Sequence, residues 1–450
     1  MADTTVSKTS ANDFSSYWDP EDAKQWAAGG ATLAARTLWI TTGALTLSFA
    51  TWFMWSAIVV RLPDLGFKLS VGQRFWLAAL PGLMGATLRI PYSFVVQMFG
   101  TRAVITLATA SLLIPSIGVG LAVQDPTTPF WVLALLAVAA GFGGGNFSAF
   151  MSSTSLFYPK ARQGTALGIQ AGIGNFGVSL VQFLTPVVTT VPLFGALGGS
   201  ALTWNQAGTA KQLWIQNAAF LWVLPVLVFT IAAAIGLRSI PVKGTFSQQA
   251  VIFRHKHTWI MTSLYLMTFG TFSGMSASFA LLIREIFGKL PGAPDPLQYA
   301  FLGALIGSAT RPPGGWISDK VGGAKVTMVC GALLLAGTLG TTFFTAPTSV
   351  ASFGPFLALI LVTFFAAGVG NGSTFRMIPI IFPAKEAAPV LGWTAAVAAY
   401  GAFIFPMLFN WSFARFGSAN GALYIFAAFY AANLVLCWWY YARKGAEIAC

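Results

Sequence analysis

Apolar residues run in blocks of about 20 from residue 37 to residue 441, and short polar stretches separate the blocks. A run of that length spans the hydrocarbon core of a bilayer, which is about 30 Å thick. Backbone groups in hydrocarbon must be satisfied within the segment, so each span is expected to be a helix. The pattern predicts twelve spans, at 37–60, 72–98, 103–123, 130–157, 164–191, 214–236, 259–283, 299–318, 326–345, 355–382, 389–413 and 421–441. A polar stretch at 238–258 divides them into halves at 37–237 and 259–441. Polar tails are expected at 1–36 and 442–450. The fold class is an all-α membrane protein.

Composition agrees: the 450 residues are 56% hydrophobic and 8% charged, against about 25% charged in a soluble domain. The first 35 residues are polar, with Asp3, Asp13, Asp19, Glu21 and Asp22, and lack the apolar core of a secretory leader. They read as a tail with a short surface helix over 19–28. Cys330, Cys437 and Cys450 are scattered without a CxxC, so neither a disulfide frame nor a metal site is expected. His255 and His257 flank Lys256 and read as a solvated loop, their spacing being poor for a metal pair.

The net charge of +13 is dispersed over short loops, which excludes a nucleic-acid surface. Of the 25 Lys and Arg, 15 fall on one side of the predicted spans and 7 on the other. The positive-inside rule then puts both termini in the cytoplasm, as in a multi-pass protein of a bacterial inner membrane. The three left over are Arg89, Arg311 and Arg376.

The halves repeat. Gly85, Arg89, Pro91 and Gly100 match Gly307, Arg311, Pro313 and Gly322 at a constant offset, and Gly143, Gly145, Asn146 and Phe150 match Gly368, Gly370, Asn371 and Phe375 at one slightly larger. Two parallel six-helix repeats describe a major facilitator architecture, with substrate held near the midplane between them.

Arg89 and Arg311 each lie eleven residues before the glycine that ends their helix, about 16 Å from the cytoplasmic end. At that depth a charge costs about 2.5–3.5 kcal/mol or more, and usually faces a cavity and serves function. All twelve acidic residues fall in tails or at span ends, so neither arginine has a carboxylate at its own depth. The missing counter-charge reads as the substrate, a small anion; the competing reading has both arginines bonding helix backbones. Arginine suits a planar oxyanion because its fork is planar and permanently charged. Arg376 lies about 9 Å from its helix end and reads equally as a gate or as a snorkelling side chain.

The fifth span reads Gly164-x-x-x-Gly168-x-x-x-Gly172-x-Gly174-Asn175-x-Gly177, and the tenth Gly368-x-Gly370-Asn371-Gly372. Small residues let membrane helices approach closely, which serves static packing or the sliding of a rocking carrier. Asn146, Asn175 and Asn371 offer amides at membrane depth, to an anion or to a neighbouring helix. Tyr265 and Phe269 share a face of the seventh span.

These segments carry a resemblance. LPGLMGATLRIPYSF around Arg89, GFGGGNF, GTALGIQAGIGNFGVS, LYLMTFGTFSG and GVGNGSTFRMI, with WDPEDAKQW in the tail, make the chain similar over nearly its whole length to the NarK-type nitrate/nitrite porters of the major facilitator superfamily. The resemblance implies that Arg89 and Arg311 clasp nitrate, that Asn175 and Tyr265 hydrogen-bond it, and that Phe147 and Phe269 stack on its faces. Arg376 stands where the resemblance implies a glutamine. Gln97 is the first-half counterpart of Asp319, so gating ion pairs need not be symmetric.

No titratable Asp, Glu or His falls inside a predicted span, which favours exchange of anions over proton symport. A bound anion also relieves the cost of closing around two bare guanidinium groups. Rocker-switch exchange of nitrate for nitrite is therefore the expectation; proton symport and an anion channel are the alternatives. No cofactor is implied, no catalytic set appears at depth, and one chain is expected to suffice as a functional monomer.

Overall fold

The computed structural model describes residues 18–206, 209–240 and 250–450. Most of the N-terminal tail, including Asp3 and Asp13, and the middle of the linker lie outside the described residues. Twelve long helical rods make up the rest. They are α1 (Ala31–Arg61), α2 (Val71–Phe99), α3 (Thr101–Ala122), α4 (Phe130–Phe157), α5 (Lys160–Val188) and α6 (Asn217–Gly236), then α7 (Lys256–Phe287), α8 (Pro296–Val321), α9 (Gly323–Phe344), α10 (Phe353–Ile381), α11 (Ala384–Ala399, continuing as Gly401–Phe416) and α12 (Asn420–Cys437). Ten of these are long and apolar enough to cross a membrane. The other two are α2 and α8, the helices that carry Arg89 and Arg311, each with two internal prolines.

Several rods begin earlier than hydropathy predicts, because polar first turns belong to the helix though not to the apolar block. α5 starts at Lys160, directly after Pro159, and α7 starts at Lys256. The expected tail helix is present: Asp22 caps Ala23–Gln25, and the chain continues through a π turn at Trp26–Gly30 into α1. An antiparallel hairpin, β1 (Leu202–Gln206) and β2 (Thr209–Leu213), joins α5 to α6 where no element was expected.

The repeat is visible in packing, one residue out of the sequence register: a Cβ on Gly144 of α4, next to the Gly368 counterpart Gly143, would come within 2.8 Å of Gly85 Cα on α2, and one on Gly368 of α10 within 2.8 Å of Gly307 Cα on α8. The glycines that end α2 and α8, Gly100 and Gly322, both take a positive φ, 81° and 97°, a conformation that other residues rarely adopt.

The described chain ends lie on one face: Trp18 donates to the Leu156 carbonyl at the end of α4, and Ala324 N–H donates to the Cys450 carbonyl at the start of α9. On the opposite face the halves are tied by ion pairs. Arg284 of α7 grips Asp64 with both terminal nitrogens at 2.7 Å, Arg61 pairs with Asp295, and Arg74 with Glu285. The hairpin's Trp204 lies 4.5 Å from the Arg61 guanidinium. On the face of the chain ends the two histidines are held in place: His255 meets Glu386, and His257 sits between Tyr441 and Glu447.

Candidate anion-binding site

Arg89 is fully buried and Arg311 is 6% exposed. Arg89 Nε donates to the Gly144 carbonyl at 2.9 Å, and its Nη1 crosses to the other half to donate to the Ala395 carbonyl of α11 at 2.8 Å. Its Nη2 has no protein partner. Arg311 Nη2 donates to the Tyr265 hydroxyl at 3.3 Å, and its Nη1 has no partner. Among the described residues no carboxylate pairs with either arginine; their acidic counterparts elsewhere are engaged near the two faces. Backbone carbonyls take Nε and Nη1 of Arg89, whereas among the described residues Arg311 bonds no carbonyl; one nitrogen on each guanidinium has no protein partner.

Aromatic rings surround the pair. Arg89 Cζ lies 4.5 Å from the centroid of Phe147 on α4, 5.3 Å from Phe269 on α7 and 5.2 Å from Trp52 on α1. Arg311 Cζ lies 5.3 Å from Phe375 on α10. Such contacts stabilise a cation in a dry site without neutralising it, which leaves its charge for a ligand. Tyr265 and Phe269 stack at 5.6 Å with planes 9° apart. Phe269 lies in a π turn, Leu266–Gly270, that directly follows Tyr265, a feature found often at functional sites.

Asn175 enters from α5, fully buried, with neither its amide nitrogen nor its oxygen partnered. One turn earlier, a Cβ on Gly172 would meet Pro312, the neighbour of Arg311, at 3.7 Å. The three asparagines separate here. Asn146 spends its amide nitrogen on Ser48 and the Ala108 carbonyl, which is helix packing within the first half. Asn371 is buried with an unpartnered oxygen.

A cavity of about 300 Å³ leads from Phe147 past Met151 and Trp393 to Gln97, Ser155 and Ile252, toward the face of the chain ends. Arg376 is half-exposed and pairs with Asp319 of α8 within the second half. The glycine motifs also separate. Gly164 and Gly168 face open space, whereas Cβ atoms on Gly174 and Gly177 would press into α1, and on Gly368, Gly370 and Gly372 into α8 and α7.

Sequence reasoning missed Trp52 and Phe375 as neighbours of the arginines. Phe375 carried a signal, being the repeat mate of Phe150. The symmetry is broken at that point: Arg89 takes Phe147, one turn away from Phe150.

Residues 41–406 match the family described as Major Facilitator Superfamily. The chain is 54% identical over 434 residues to the "Probable nitrate/nitrite antiporter NarK2" of Thermus thermophilus, covering 96% of this chain and 97% of that one. It is 40% identical over 452 residues to the "Nitrate/nitrite transporter NarU" of Salmonella typhimurium, covering 95% and 96%. Its fold resembles a bacterial homologue of the lysosomal transporter Spinster solved in an inward-facing, occupied conformation, with a TM-score of 0.65, 16% identity and coverage of 90% and 96%. A twelve-helix bundle with repeated halves, a buried arginine pair and these full-length matches place the chain in the major facilitator superfamily, among its NarK-type nitrate/nitrite porters.

Proposed function

We propose that the protein exchanges nitrate for nitrite by rocker-switch alternating access, with the anion held between Arg89 and Arg311. The observation that carries this reading is the pair of buried guanidinium groups, each with one unpartnered nitrogen and neither with a carboxylate. A trigonal oxyanion between them accepts from Arg89 Nη2 and Arg311 Nη1. The Asn175 amide and the Tyr265 hydroxyl supply further donors, and Phe147 and Phe269 form flat walls suited to a flat ion. Charge-assisted bonds of this kind are about twice as strong as neutral ones.

Exchange follows from the same charges. Every described carboxylate sits at a helix end or in a connection, so no side-chain acid at the depth of the site can carry a proton across. The empty carrier must close around unpaired positive charge, which costs several kcal/mol. The loaded carrier does not, so it reorients faster. The face of the chain ends is cytoplasmic on the positive-inside rule, in the inner membrane of a bacterium. One chain carries the whole site and works as a monomer.

In proteoliposomes loaded with nitrite, labelled nitrate is expected to accumulate rapidly, and in unloaded ones hardly at all. Uptake that needs no internal anion and follows an imposed pH gradient would instead establish proton symport. A second expectation concerns the hydroxyl that meets Arg311. Tyr265→Phe leaves a buried donor without its acceptor, a loss of about 1–3 kcal/mol, and should raise KM for nitrate about tenfold with the protein still folded. An unchanged KM would remove Tyr265 from the site.

A further inference from the structure

Between the arginines and the ion pairs of the opposite face lies a second set of buried polar groups. Gln182 is fully buried on α5, two turns beyond Asn175 and on the same side of the helix, about 10 Å further out. Its Nε2 donates to Ser56 Oγ of α1 at 3.0 Å and to the Ser276 carbonyl of α7 at 2.9 Å. That single amide therefore bridges the two halves. The hydroxyl of Ser276 itself has no partner, and neither has that of Ser308, one turn outward of Arg311 on α8. Both serines are at most 1% exposed.

A buried hydroxyl without a partner costs about 1–3 kcal/mol, and buried polar groups are otherwise almost always satisfied. Two of them, on the contacting helices α7 and α8, one on the residue whose carbonyl holds the inter-half amide, need a reason. Closed, this region gives them none. Opened toward the opposite face, it becomes a route that offers hydroxyl and amide donors and no carboxylate, which is what a small oxyanion leaving Arg311 would meet.

The geometry points to a second anion subsite at Ser308 and Ser276, sealed in this conformation by Gln182. Gln182 acts as a latch. Its bonds to Ser56 and Ser276 must break for the opposite face to open, and breaking them exposes the two hydroxyls to the anion. The assignment of the ion as nitrate rests on the exchange reading above; the route and the latch do not.

The test uses Ser276→Cys, close in size to the native residue, in full-length protein reconstituted in one orientation. A membrane-impermeant thiol reagent applied from the face opposite the chain ends should modify it, and nitrate should slow the reaction several-fold. Adding Gln182→Leu should speed modification several-fold, as should Gln182→Asn, whose side chain is too short to reach both partners; either variant alone suffices if the other does not fold. Reaction from the face of the chain ends alone, or a rate insensitive to every anion tried, overturns the subsite. A rate unchanged by both Gln182 variants overturns the latch. Slowing by sulfate or chloride but not by nitrate keeps the subsite and overturns nitrate as the substrate.

Discussion

Arg89→Ala and Arg311→Ala should each lower nitrate–nitrite exchange at least about 100-fold, with the protein still inserted and monodisperse. The magnitude follows from the bonds lost, because hydrogen bonds to charged groups are worth about 1.5–3 kcal/mol each. A trigonal anion loses both its nearest cation and the geometry that cation imposes. The lysine variants sharpen the expectation. Lysine restores the charge as a point without the planar fork. Arg89 uses that fork in three directions at once, toward Gly144, toward Ala395 and toward the open site, so Arg89→Lys should be nearly as inactive as Arg89→Ala. Arg311 has one protein partner, Tyr265, and Arg311→Lys should retain more activity. Initial rates of counterflow in proteoliposomes measure both. Retained transport in both alanine variants would refute the clasp, and equal rates for the two lysine variants would refute the asymmetry.

Much of this site was legible in the sequence because charge in an apolar helix is conspicuous. Arg89 and Arg311 stood out against the hydropathy pattern, and placing every acid showed that none shared their depth. What was not legible is what depends on backbone or on tertiary meeting. The carbonyls of Gly144 and Ala395 carry no side-chain signature, so the second role of Arg89, a bond between the halves, could not be read. Trp52 is one of several aromatic residues in α1, and nothing in hydropathy separates the ring that meets Arg89 from those that pack elsewhere. The acids and bases of the opposite face could be assigned to that face but not to each other. Arg284 with Asp64 and Arg61 with Asp295 are partners because the end of α1 meets the end of α7 and the start of α8 there, which is a property of the closed bundle. The hairpin at 202–213 was too short and too polar to register against membrane spans.

The glycine motif of α5 left packing and sliding open in the sequence, and the structure separates its members. Five glycines fall between residues 164 and 177, yet their surroundings differ. A Cβ at Gly177 would overlap the Thr46 carbonyl oxygen and come within 2.9 Å of Phe49 Cβ, and one at Gly174 would meet Leu45 at 2.8 Å. The Thr46 carbonyl is main chain and cannot swing aside, so Gly177→Ala must push α5 off α1. Overpacking of a close-packed interior typically costs 1–3 kcal/mol and sometimes more, and here α1 and α5 also hold Phe49 and Asn175 in register. Gly177→Ala is therefore expected to lose most of its folded, monodisperse protein, with a thermal midpoint lowered by several degrees in what remains. Gly164 and Gly168 meet nothing within 4 Å in this conformation, and alanine favours a helix over glycine by about 1 kcal/mol. Gly164→Ala and Gly168→Ala should leave the thermal midpoint unchanged or slightly raised. If those two positions are empty only because the face of the chain ends is open, closing that face brings another helix against them, and the same variants should slow exchange several-fold despite their normal stability. Normal exchange in both would mean that these glycines are not part of the moving contact, and loss of stability in either would mean that the open space at α5 is not there in the membrane.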